Sequence, residues 1–293
     1  MLYRKKLLLA TVELFGGEVN ATNFQKLLFL ISQKQADRRY DFVPYKFGCF
    51  SFQAMTDKNA LIKKGYLENT KNWKLSIKER DFLTTLSKKD RQLLVNTKDQ
   101  FGNFKTHDLI RYIYLHYPYF AINSEIVHDF LSKKEIEKIY QLKPQNNEIC
   151  LFTIGYEGDN LERYLNKLIK SNIKALFDVR KNPVSRKYGF SKKTLQNACE
   201  AIGIEYIHLP ELGIESEKRK NLKSQADYDD LFLDYEKLIL PKKKDVINFI
   251  HNRLSNYKRI ALTCYEALPQ KCHRTRIANA VFSLNNKLRV KHI

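Results

Sequence analysis

Two apolar runs that each end in a glycine- or charge-rich turn, LFTIGYEG at residues 151–158 and IKALFDVRKNPVSR at 173–186, constrain this chain's fold more than any other feature. Strand and helix patterns alternate through the same half. Strands are predicted at 150–155, 173–179, 204–208, 258–264 and 287–291, and helices at 159–171, 192–202, 228–239, 243–255 and 272–284. Such alternation closes as right-handed βαβ crossovers and gives a mainly parallel, doubly wound, Rossmann-like sheet. In these sheets the ligand crevice lies outside the carboxyl ends of the strands. GYEG follows the first strand, Asp178 and Arg180 the second, His208 and Glu211 the third, and Tyr265 and Glu266 the fourth, so four turns are expected to converge at one edge.

The other half reads differently. Leu7, Leu8, Val12, Leu14 and Phe15 fall on one helical face that Gly16-Gly17 ends, and Phe24, Leu27, Leu28, Leu30 and Ile31 give a second apolar stripe behind Asn20 or Thr22 as cap. The aromatic segment YDFVPYKFGCFSF reads as a structured loop or short strand, and Ser51 opens a third helix that Gly65 stops. Tyr66 to Leu75 alternates like a two-stranded wing and holds the single Trp. Three helices plus a wing is a winged-helix layout, used by DNA readers. A helical scaffold or interaction module satisfies the same pattern. His107, His116 and His128 lack metal-ligand spacing and read as structural or surface residues. Two domains are expected, residues 1–140 and 148–293, with a polar linker across 133–149.

Charge narrows the partners. The chain carries 52 Lys and Arg against 32 acids, and both halves are basic: 25 against 16 over residues 1–149, and 27 against 16 over 150–293. An excess on both sides of the linker points to a polyanion, nucleic acid first and DNA in particular, because neutralised phosphates release their condensed counterions; a Lys- and Asn-rich proteome, which raises charge without any partner, is the alternative. No apolar run reaches the ~20 residues of a membrane span. The basic start before LLLATVELF meets acidic Glu13 and no cleavage signal, and the five cysteines are an odd number. These features fit a cytoplasmic chain with reduced thiols.

The series TIGYEG, DVRKNPVSRKYGFSKKTL, GIEYIHLPELG, ALTCYE and KCHRTRIA resembles the domain-of-unknown-function 488 family across residues 150–293. The resemblance implies a Rossmann-like domain. It puts Asp178, Arg180, Pro183, Ser185, Arg186 and His208 on signature positions, together with Cys264, Glu266, Cys272, His273 and Arg274. It implies no reaction. In the other half, FQKLLFLIS, GCFSF and KKGYLE resemble the amino-terminal region of the SocA-like antitoxin family.

Roles follow from the residue types. Asp178, leaving an apolar strand, is the first candidate catalytic carboxylate, with a structural ion pair to Arg180 or Arg186 as its alternative. Glu266 is the second carboxylate and Glu157 the third; His208 is placed to assist a leaving group. Arg180 and Arg186 flank Pro183 as two forks suited to phosphate, with Ser185 between them and Lys181 and Lys187 beside them. Tyr156, Tyr188 and Phe190 are candidates to stack on a base. Cys264, Cys272 and His273 show no CxxC or HxxxH pair, so no metal is expected there. Cys272 at a helix start is either a thiolate or, with His273 and Arg274, the edge of an anion pocket.

Phosphate-loop, dinucleotide and nucleophile-elbow signatures are absent from the sequence, and no cofactor is expected. The reaction that suits these parts is hydrolysis of an N-glycosidic bond in DNA, a DNA glycosylase excising a modified base in repair or in defence against phages. A metal-dependent nuclease using Glu157, Asp178 and Glu266, or a non-catalytic nucleotide-binding regulator, are the alternatives.

Overall fold

A computed structural model describes residues 1–76, 81–219, 222 and 224–293. The chain divides into two compact units, Met1–Lys143 and Pro144–Ile293.

The N-terminal unit runs α1 (Tyr3–Leu14), β1 (Glu18–Val19), α2 (Ala21–Lys34), β2 (Val43–Tyr45), β3 (Gly48–Phe50), α3 (Phe52–Lys63), β4 (Trp73–Lys74), α4 (Lys88–Phe101), α5 (Thr106–His116) and α6 (Lys133–Gln141). Asn20 is the residue that caps α2, accepting from the amides of Thr22 and Asn23, and Ser51 caps α3. The aromatic segment is a hairpin, β2 against β3, with Gly48 at φ 91° and the buried Lys26 ammonium bonded to the carbonyls of Phe47 and Cys49. Residues 66–75 fold back through a Leu67–Leu75 bridge, while Trp73–Lys74 pairs antiparallel with β1, and Trp73 stacks on Phe24 at 3.7 Å. Part of the expected linker is helical. In α6 the Ser132 and Glu135 side chains close a capping box, and Ile136 and Ile139 are buried, so polar composition there conceals a surface helix.

The C-terminal unit runs β5 (Cys150–Gly155), α7 (Leu161–Lys170), β6 (Ala175–Asp178), α8 (Lys192–Ala201), β7 (Glu205–His208), α9 (Gln225–Asp234, extended by a π turn over Tyr235–Ile239), α10 (Lys244–Tyr257), β8 (Arg259–Cys264), α11 (His273–Phe282) and β9 (Arg289–His292). The five strands form one parallel sheet in the order β7-β6-β8-β5-β9. Right-handed crossovers put α7 and α8 on one face and α9 to α11 on the other. Side-chain alternation along the strands agrees. Thr263 accepts from Tyr164 of α7, whereas Ile260, Leu262 and Cys264 join the core with Ile250, Leu254, Ile277 and Val281. In β6, Ala175, Phe177 and Val179 belong to that second core, so Asp178 points to the α7–α8 side. Strand alternation therefore sends Asp178 and Cys264 to opposite faces of the sheet.

Candidate functional site

The strands β5, β6 and β8 end together, and a cleft of about 340 Å³ opens over their carboxyl ends. Gly155 makes the floor possible: a Cβ there would stand 1.8 Å from the Glu266 carbonyl oxygen. The amides of Tyr156 and Glu157 both donate to the Tyr265 carbonyl, at 3.1 and 2.9 Å, and tie the β5 turn to the β8 turn. Switch points of this kind, where neighbouring strands feed crossovers on opposite faces, are where open α/β sheets bind ligands.

Asp178 does not enter the cleft. It is fully buried, its Oδ1 accepts from Arg180 Nε at 2.8 Å and Arg180 N at 3.1 Å, and its Oδ2 accepts from Arg180 Nη2 and the Tyr206 hydroxyl. Burial and the Asp178 charge push the Tyr206 phenol well above its ordinary range, so it stays a donor. Arg180 spends Nη1 on the Tyr156 hydroxyl and the Phe190 carbonyl. Burial works against its charge, but the bonds to Asp178 hold it protonated. A carboxylate with both oxygens committed to a guanidinium and a phenol anchors the β6 turn, which is the ion-pair arrangement expected as the alternative to catalysis.

The loop after β6 forms the basic wall. Ser191 donates to the Ser185 carbonyl instead of capping α8, the Lys187 amide donates to Ser185 Oγ, and Lys192 N donates to the Pro183 carbonyl. These bonds set Lys181, Asn182, Val184, Ser185 and Arg186 along the cleft. Arg186 is exposed there, whereas the Lys187 ammonium reaches the Tyr156 carbonyl at 2.8 Å. Tyr156 lines the cleft, yet one face of its ring lies on Phe190 at 4.2 Å, so it is a wall and not an open stacking platform.

The third wall is β8 and the start of α11. Cys264, Glu266 and His273 line the cleft, Glu266 only 9% exposed and Cys264 Sγ 3.4 Å from its Oε2. Cys272 is buried beside them, and burial together with Cys264 pushes its thiol well above the ordinary range. That direction runs against the helix-start thiolate, one of the two uses expected for Cys272. Arg274 is buried too and spends its guanidinium on the carbonyls of Glu266 and Ala267, so it braces the turn and offers no anion pocket. The sulfurs of Cys264 and Cys272 and one ring nitrogen of His273 all lie within 4.8 Å of one another. Sequence spacing had argued against such a cluster; the turn between β8 and α11 folds back and forms it.

The cleft thus gathers Tyr156, Arg180, Ser185, Arg186, Cys264, Glu266 and His273 from the expected set. Five others stay outside. Asp178 and Arg274 are buried braces. His208 lies on β7 with Nε2 at the Arg180 carbonyl and Nδ1 at Lys192, which removes it from a leaving group in the cleft. Glu157 accepts from the Ala267 amide and is exposed, and Tyr188 is not among the lining residues. Sequence reasoning put Tyr265 at the fourth turn without giving it a role, and it is 45% exposed in the cleft; Ile214, which also lines it, was passed over. Tyr265 carried a signal, its place between Cys264 and Glu266.

The fold and cleft define a doubly wound α/β domain with a cleft over its strand ends. Residues 160–281 match the family model described as domain of unknown function DUF488, and this match lies wholly within the C-terminal unit. No curated protein and no solved structure matches the chain.

Proposed function

We propose that the protein is a DNA-acting hydrolase, a DNA glycosylase that excises a modified base by cleaving its N-glycosidic bond in repair or anti-phage defence. The observation that carries this reading is one carboxylate, Glu266, 9% exposed in the same cleft as Lys181 and Arg186. A carboxylate shielded from water can direct an attacking water and stabilise an oxocarbenium-like charge, while the cations take the flanking phosphates. The cleft volume, about 340 Å³, falls at the small end of ligand pockets and suits a single extruded nucleotide. Tyr265 offers an exposed ring beside Glu266 for the base. The basic excess of both halves supports a DNA partner, with the N-terminal unit holding duplex in the manner of a winged helix. Five buried cysteines as thiols support a cytoplasmic setting.

The nuclease alternative is weakened. Magnesium-type sites need several oxygen ligands, and of the three expected carboxylates Asp178 is sealed under Arg180 while Glu157 turns to the Ala267 amide. The test is product analysis on unmodified and base-modified DNA. Free base together with abasic sites is the expected result. Direct strand breaks without abasic sites, ammonia release with the base kept on its sugar, or binding with no product would each overturn the reading, the last in favour of a regulator.

A further inference from the structure

The floor of the cleft holds three donor atoms that base excision by Glu266 alone leaves unused. His273 Nδ1 lies 3.7 Å from Cys264 Sγ and 3.9 Å from Cys272 Sγ, and the three atoms fit within 4.8 Å of one another. A tetrahedral zinc ion held at ~2.3 Å by thiolate and ~2.0 Å by imidazole has ligand-to-ligand edges of roughly 3.5–3.8 Å. The donors therefore already stand near the corners of such a site.

The histidine tautomer is fixed from behind. His273 Nε2 is 3.0 Å from the Val179 carbonyl, which accepts only from an N–H, so Nδ1 carries the lone pair and faces both sulfurs. A backbone carbonyl on the far nitrogen is how ligand histidines are oriented. Two sulfurs and an imidazole select a thiophilic ion of the zinc kind over magnesium or calcium.

The cluster is buried but borders the cleft on one side. Cys264 and His273 line the cleft, and so does Glu266, whose Oε2 is 3.4 Å from Cys264 Sγ. Three protein ligands with a free position are the pattern of catalytic zinc, whereas closed four-ligand sets are structural. A carboxylate beside that position, not itself a ligand, is the proton carrier in zinc enzymes that act on nucleobases.

We propose that Cys264, Cys272 and His273 form a zinc site whose fourth position opens into the cleft and holds a water beside Glu266. Its part in turnover rests on the hydrolase reading above. The water gives a proton to Glu266, its oxygen bonds to C1′ as the C1′–N bond breaks, the bonding pair leaves on the base nitrogen, and Glu266 returns the proton to that nitrogen. One water is consumed, sugar hydroxyl and free base are formed, and nothing is oxidised or reduced.

The experiment is metal analysis of the full chain, tag removed and purified without chelators, followed by cobalt(II) loading read in the visible spectrum. About one zinc per chain and the intense d–d and thiolate charge-transfer bands of tetrahedral cobalt are expected. Cys272→Ser should lower affinity at least tenfold, read against a chromophoric chelator, while Cys199→Ser on α8 keeps it. Glu266→Gln should keep the metal and lose base release. The cobalt spectrum of the unaltered chain needs no variant to fold. Folded protein that takes up neither ion, Cys272→Ser with full affinity, or a Cys264–Cys272 disulfide in the reduced preparation would overturn the site. Metal bound with no base released would leave the site standing and remove the hydrolase reading instead.

Discussion

Arg180 closes on Asp178, two residues before it, through Nε to Oδ1 at 2.8 Å and Nη2 to Oδ2, with both side chains almost wholly buried. The pair turns the chain as it leaves β6 and so aims the basic loop. A buried pair of this kind is costly to break from one side because the remaining charge is stranded. Asp178→Asn is expected to lower unfolding free energy by about 3–5 kcal/mol, measured by chemical denaturation. Loss of activity with unchanged stability would instead return Asp178 to the chemistry.

Tyr206 holds the same carboxylate from β7, across the β6–β7 pairing. Tyr206→Phe removes one donor and keeps the ring. The expected cost is about 1–3 kcal/mol of unfolding free energy by chemical denaturation, smaller than for Asp178→Asn because Arg180 remains.

Glu266 differs from Asp178 in having cleft access. Glu266→Gln is expected to retain the fold, by circular dichroism and thermal unfolding, and to lower base release by about 10²–10⁴-fold. An unaffected rate would remove Glu266 from the reaction.

Arg186 lies exposed on the cleft wall, held there by a loop fastened at Ser185 and Ser191. If it meets a phosphate, Arg186→Ala should weaken DNA binding evenly across sequences and reduce the slope of log affinity against log salt by about 1. Fluorescence anisotropy at several salt concentrations measures both. An unchanged slope would take Arg186 off the phosphate.

Much of the C-terminal fold was legible because β5, β6 and β8 are apolar runs and α8 meets a glycine stop at Gly203. The site was legible as a place more than as a set of roles. A carboxylate at a strand end has one sequence signature whether it serves as base or anchor. Tyr206 and the face on which Asp178 emerges decide, and both depend on strand pairing. Cys264, Cys272 and His273 were set aside as metal ligands for the converse reason, since local spacing says nothing about a turn that brings a strand end against a helix start. Helix α6 was hidden by composition, its burial resting on Ile136 and Ile139 alone.

The absence of a side chain at Gly155 sorts the cleft into two kinds of surface. Where β5 meets the Glu266 carbonyl no added atom fits, and Arg274 clamps the same turn from beneath, so that floor tolerates no redesign. The 181–186 wall is loop, with Val184 85% exposed and Arg186 exposed. Any change of substrate, by selection or at the bench, has to be written there, over a fixed floor.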